Sequence, residues 1–138
     1  MTLDRGEKDL QTLLKEMQPV LDEEEMVFCS LPPKIAEDYM SLAQGYYVEG
    51  EGITVIISKH LADLNHLPYD YLFRRISLLV HSSLDAVGFL ARITEVLAAQ
   101  GIGVNAVSAY YHDYLYIRSD QAEIALKTLI LWQKKLLE

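Results

Sequence analysis

The sequence predicts an α+β fold, an antiparallel sheet with helices packed on one of its faces. Three observations carry this. Residues 73–118 run from an apolar strand through a polar loop into an amphipathic helix opened by a glycine, then into two further strands. Residues 7–66 run helix, strand, strand pair, helix, a coarse echo without close sequence repetition. The stretch 121–137 reads as a helix, so the C-terminal half has no closing strand of its own. The chain therefore divides at 1–70 and 71–138 into two interlocked halves, with an N-terminal strand completing the C-terminal sheet. An unpaired edge in each half would otherwise invite aggregation.

The elements follow in order. Glu7–Gln18 carries Leu10, Leu13, Leu14 and Met17 at helical spacing, with Asp4 as its cap and Pro19 as its end. Val20-Leu21 is ambiguous. Asp22-Glu23-Glu24-Glu25 reads as a solvated turn, because four consecutive carboxylates point in different directions and favour water over a shared cation. Met26–Leu31 is a β-rich apolar run closed by Pro32-Pro33. Lys34–Gly45 gives no clear element. Tyr46–Val48 and Ile53–Ile57 flank a glycine-containing segment and predict a hairpin. Ser58 caps a short helix, Lys59–Asn65.

Ile76–Val80 is a buried strand by composition. In Gly88–Gln100 the residues Phe89, Leu90, Ile93, Val96 and Leu97 share one face, and Gly101 stops the helix. Val104–Tyr111 and Tyr114–Arg118 form a second hairpin about a two-residue turn, His112-Asp113. Gln121–Leu137 is the last helix, capped by Asp120. That register places Tyr111, Tyr114, Tyr116, Asn105, Val107 and Arg118 on one sheet face. Ala106, Ser108, Tyr110, Leu115 and Ile117 share the other. The aliphatic face should meet the helices, and the aromatic face should be covered by the N-terminal half or by a second copy in a homodimer.

The chain has 138 residues and a formal net charge of −8. That balance disfavours nonspecific nucleic-acid binding, which depends on basic groups neutralising phosphates, and docking on anionic membranes. Cys29 is the single cysteine, so no intramolecular disulfide forms; its apolar neighbours predict an inert buried thiol. No apolar run approaches the roughly 20 residues of a membrane span, and Met1–Gly6 lacks a basic-then-apolar leader. The expectation is a soluble, cytoplasmic protein.

Catalysis and metal binding find little support. His81, Ser82, Ser83 and Asp85 include the residue types of a hydrolase triad, but neighbours on one loop rarely align base and nucleophile. His60 and His66 fall on different helix faces, and His81 with His112 is two ligands short of a zinc site. No catalytic residue, metal site or cofactor is predicted. The loop His81–Leu90 reads differently. A helix N-terminus exposes unpaired N–H groups and partial positive charge, which suits a carboxylate. Gly88 permits close approach, Ser82 and Ser83 offer hydroxyls, and Asp85 offers an anion for an ammonium. A free amino acid is complementary to this set. The competing reading of the same residues is that Asp85 only caps the helix and Gly88 only permits packing.

Asp85-Ala86-Val87-Gly88-Phe89-Leu90 resembles the Asp-x-Pro-Gly-Leu loop of ACT domains, small ligand-binding modules of amino-acid metabolism, with Val87 where many of them have proline. Leu97–Asn105 is similar to their approach to the second strand. Val80–Gly88, Ala109–Asp113, Pro19–Cys29 and Glu49–Thr54 resemble, in order, a poorly characterised bacterial family of tandem ACT-like domains. The resemblance implies a ferredoxin-like ACT fold in two interlocked halves and a non-catalytic regulatory module. It also implies a small-molecule ligand, an amino acid, at His81, Ser82, Ser83, Asp85, Ala86, Val87, Gly88 and Phe89, with Asn105 and Val107 contributing from the facing strand. The alternative function is an interaction or dimerisation domain with no small-molecule ligand.

Overall fold

The computed structural model describes residues 3–138. Among them are helices α1 (Leu10–Glu16), α2 (Pro33–Ala36), α3 (Lys59–Leu64), α4 (Phe89–Ala98) and α5 (Ala122–Leu136). The strands are β1 (Gln18–Leu31), β2 (Gly45–Val48), β3 (Ile53–Ser58), β4 (Phe73–Leu79), β5 (Asn105–Ser108) and β6 (Asp113–Arg118). Short 3₁₀ turns lie at Met40–Leu42 and Ser119–Gln121. The chain divides into two compact units: the segment up to Asp22 together with Arg74–Glu138, and Glu23–Phe73. Strand order is β1-β4-β6-β5 in the first and β2-β3-β1 in the second, β1 giving its opening residues to one and its remainder to the other. The N-terminal segment thus completes the C-terminal sheet, as the missing strand requires.

In the first unit the core is built from one face of each element. Phe89, Ile93 and Leu97 of α4 and Ala122, Ala125 and Leu129 of α5 meet Leu13, Leu14 and Met17 around α1. Ile76 and Leu78 of β4 and Leu115 and Ile117 of β6 supply the sheet side. These alternate residues share a face because strand side chains repeat with period 2. In the second unit Val27, Cys29 and Leu31 pair with Ile57, Val55 and Ile53 across β1 and β3, under Ala36, Ala62 and Leu67. Ser58 caps α3 as expected, accepting from the Leu61 N–H at 3.2 Å.

Several sequence expectations change, each for a local reason. The first helix starts late because its cap is Asp9, which accepts from the Thr12 N–H at 3.0 Å and the Thr12 hydroxyl at 2.7 Å. Asp4 instead accepts from the Gly6 N–H at 3.0 Å. The helix ends at Glu16 because the chain turns extended at Met17, ahead of Pro19. The acidic run 22–25 is strand, not turn. Arg75 Nε lies 2.9 Å from the Asp22 carboxylate, and Arg74 Nε donates to the Asp22 carbonyl at 2.9 Å. An extended backbone also sends successive carboxylates to opposite faces, which relieves their repulsion. The last helix has Gln121, not Asp120, at its cap position, because Ser119–Gln121 forms a 3₁₀ turn.

The second hairpin differs most. Ser108 pairs with Asp113, Val107 with Tyr114, Ala106 with Leu115 and Asn105 with Tyr116. The turn is therefore Ala109–His112, closed by the Ala109 N–H donating to the His112 carbonyl at 3.0 Å. The register is off by an even number of residues from the expectation, so the face assignments survive. Tyr116 on the aromatic face is buried, and Arg75 stands 4.7 Å over the Tyr114 ring. The first unit's own residues therefore supply part of the cover. No helix of the described residues is long and apolar enough to cross a membrane.

Candidate functional site

Beyond Leu79 the strand cannot continue, because its backbone is diverted by a run of close turns. The Val80 N–H donates to the Leu78 carbonyl and the Ser82 N–H to the Val80 carbonyl, both at 2.9 Å. The loop this creates is held from outside by the segment ahead of α1. Glu7 makes a parallel bridge to Ser82: its N–H donates to the His81 carbonyl, and its carbonyl accepts from the Ser83 N–H, both at 2.8 Å. Gly6 permits this at φ +82, where a Cβ would sit 2.8 Å from the His81 carbonyl oxygen. The Tyr110 hydroxyl donates to the Asp4 carbonyl at 2.9 Å. His81 Nδ1 lies 3.4 Å from the Asp4 carboxylate, and Lys8 pairs with Asp85 at 2.9 Å.

Inside the loop, the Ser83 hydroxyl accepts from the Asp85 N–H at 3.1 Å and the Ser83 carbonyl from the Ala86 N–H at 3.0 Å. Gly88, at φ +92, then turns the chain into α4. A Cβ at Gly88 would meet only Leu10 Cδ2, at 3.5 Å, so the position needs glycine for its backbone rather than for space. No side chain caps α4. Its first-turn N–H groups are the orphan donors of a helix end, and the residues that carry them line a cavity of about 160 Å³.

Five predicted residues line that cavity: Ser82, Ser83, Ala86, Gly88 and Phe89. Five others lie off it. His81 is turned to Asp4 and stacks near Tyr111, ring centres 4.7 Å apart; its Nε2 is buried without a hydrogen-bond partner. Asp85 is exposed and bound to Lys8, whose hydrogen bond and charge hold its carboxyl below the usual carboxylate range. Val87 is 84% exposed. Asn105 and Val107 lie on the sheet face opposite the one that carries Ser108 and Asp113. The Gly6 N–H holds the Asp4 carboxyl low as well, with His81 adding to the effect.

Six lining residues stand outside the predicted set: Leu84 and Leu90 of the predicted loop, and Ala91, Ser108, Ala109 and Asp113 beyond it. Asp113 matters most. It is 5% exposed and accepts from the Ser82 hydroxyl at 2.8 Å. One signal was available, since Ser108 falls on the helix-facing side of its strand in the expected and the observed register. The serine and aspartate that bond here are not joined by a histidine, because His81 bonds Asp4 and His112 Nδ1 lies 3.3 Å from the Val80 carbonyl. Among the described residues no group of three or more His, Cys, Asp or Glu is placed to hold a metal.

An ACT-domain family profile matches residues 5–74, and a second ACT-domain profile matches residues 73–130. No curated protein matches. A solved protein of unknown function from Vibrio cholerae, described as a possible transport protein, is 34% identical with a TM-score of 0.79. The alignment covers 90% of this chain and 95% of that one. The ligand-free regulatory subunit of aspartate kinase from Thermus thermophilus is 12% identical, TM-score 0.62, over 86% of this chain and 97% of that one. The corresponding subunit from Thermus flavus is 14% identical, TM-score 0.60, over 87% and 97%.

Proposed function

This chain belongs to the ACT-domain family and carries two such domains in tandem, and on that footing we propose that it is a non-catalytic regulatory module that binds a free amino acid. The ligand enters the cavity at the β4–α4 loop. The observation that carries this reading is the uncapped N-terminus of α4 beside Ser82 and Ser83 at an open cavity. Helix-end N–H groups and the macrodipole favour a carboxylate there. The apolar lining from Ala86, Phe89 and Leu90 takes the remainder of the ligand. Kinship to regulatory subunits of aspartate kinases supports the same kind of role, response to a metabolite rather than turnover of it.

The test is a melting curve against each of the twenty common amino acids. A ligand at 100 times its Kd stabilises the native state by about 2.7 kcal/mol, a shift of about 10 °C for a chain of this length. At least one amino acid at millimolar concentration should give such a shift, and its amide, which lacks the carboxylate, should not. A second reading, an interaction domain without a ligand, is favoured by β2. That strand pairs with β3 and leaves Tyr46, Tyr47 and Val48 exposed, a surface suited to a second copy. Concentration-dependent sedimentation together with no amino-acid response would favour it over the first.

A further inference from the structure

We infer that the ligand's ammonium is received by Asp113 and not by Asp85, and that the ligand is an amino acid with a short, uncharged side chain. This rests on the amino-acid reading above and deepens it. Asp113 is buried, lines the cavity and is the one charged side chain among the described lining residues. Its partner is the Ser82 hydroxyl, and no Lys, Arg or His of the described residues forms an ion pair with it. A carboxylate has about four acceptor positions, and the Ser82 hydroxyl fills one of them. A primary ammonium in the cavity supplies the missing charge and up to three donors.

Two parts of the cavity lining then read as one device. The α4 N-terminus is positive and rich in donors; Asp113, at the start of β6, is negative and accepts. A zwitterion placed between them meets both. The cavity is about 160 Å³, the order of volume that takes a benzene-sized guest, so a short side chain fits inside it. What surrounds a ligand side chain is Leu84, Ala86, Leu90 and Ala109, which offer no charge. Asp85, by contrast, already has its cation in Lys8 and is exposed.

The test uses the full chain and calorimetric titration with L-alanine, L-serine and L-valine as probes, and with propanoate as the alanine analogue without the amine. The expected result is binding of at least one of the three amino acids and none of L-lysine, L-glutamate or propanoate. Asp113→Asn keeps the size and an acceptor for Ser82 but removes the charge. It should weaken amino-acid binding by about tenfold or more, the scale of one charge-assisted hydrogen bond, and Asp85→Ala should change it by less than about threefold. Full binding by a folded Asp113→Asn variant, or loss of binding in Asp85→Ala alone, overturns this inference and leaves the amino-acid reading standing. Should Asp113→Asn fail to fold, the wild-type comparison decides: propanoate binding as well as alanine overturns ammonium recognition. If none of the twenty amino acids binds the wild type, the proposed function falls and this inference falls with it.

Discussion

The two units follow the same order of strand, helix, hairpin and helix, yet their first strand-to-helix junctions differ in kind. In one, β4 leads through Val80–Gly88 into α4, and the junction holds a cavity, two buried serines and a helix end without a cap. In the other, β1 passes through Pro32 directly into α2, whose first residue is Pro33. Proline has no N–H to donate, and a helix of four residues sums little dipole. The second junction therefore offers fewer donors to an anion. A shared fold does not by itself make a site, and here loop length and proline content separate the two junctions.

The largest expected effect comes from separating the first unit from the segment that completes it. Leu13, Leu14 and Met17 are fully buried against β4, α4, α5 and β6. Each such side chain contributes about 1.5–3 kcal/mol, so their loss removes about 5–9 kcal/mol, comparable to the whole stability of a domain. A fragment of residues 71–138 should show no cooperative thermal transition by circular dichroism. A soluble, monomeric fragment with a sharp transition would mean that the C-terminal half stands alone and that the two units are independent copies.

A smaller effect should come from the strap that holds the cavity loop. Gly6→Ala places a methyl 2.8 Å from the His81 carbonyl oxygen and 2.9 Å from the Ser83 nitrogen, at φ +82. The expected cost is about 1–3 kcal/mol, the range for strained backbone of this kind. The change should also displace Ser82 and Ser83 and so weaken any amino acid that binds the wild type. Gly50→Ala in the β2–β3 turn of the other unit is the control, since an added Cβ there meets nothing within 4 Å. Equal melting points for the two variants would show that the strap does not hold the loop.

What could be read from the sequence was local. Phe89, Ile93 and Leu97 announce α4 by spacing, Ser58 announces α3 by its cap, and Ser82, Ser83 and Gly88, on one short loop, lie where the cavity is. What could not be read depends on distant partners. Asp22, which opens the acidic run, is anchored by Arg74 and Arg75, far along the chain. The hairpin turn is widened because Tyr110 reaches Asp4, Tyr111 packs on His81 and His112 turns to Val80. No turn propensity encodes those contacts, and without them Asp113 is placed in a turn rather than at the head of a strand. The face alternation survived because an even register change preserves it, which is why Ser108 was correctly sided while its partner was misplaced.

The smallest effect concerns a reporter for the second unit alone. Cys29 is buried in the core that β1 and β3 form there, and burial pushes its thiol above the ordinary value of 9.0. The folded state therefore holds the proton more tightly than the unfolded chain. Stability is fully present below pH 9 and declines as the pH rises from there through the raised folded value. Tyr116 in the first unit behaves alike, with its phenol pushed above 10.0 by burial, but its loss begins about one pH unit higher. Urea unfolding at pH 8, 9 and 10 should show a falling midpoint whose earliest part disappears in Cys29→Ala. A thiol reagent should label native Cys29 slowly, at the rate of transient opening. If the variant keeps the same pH slope as the wild type, or if labelling is complete within mixing, the thiol is not sequestered. The second unit would then be the looser of the two.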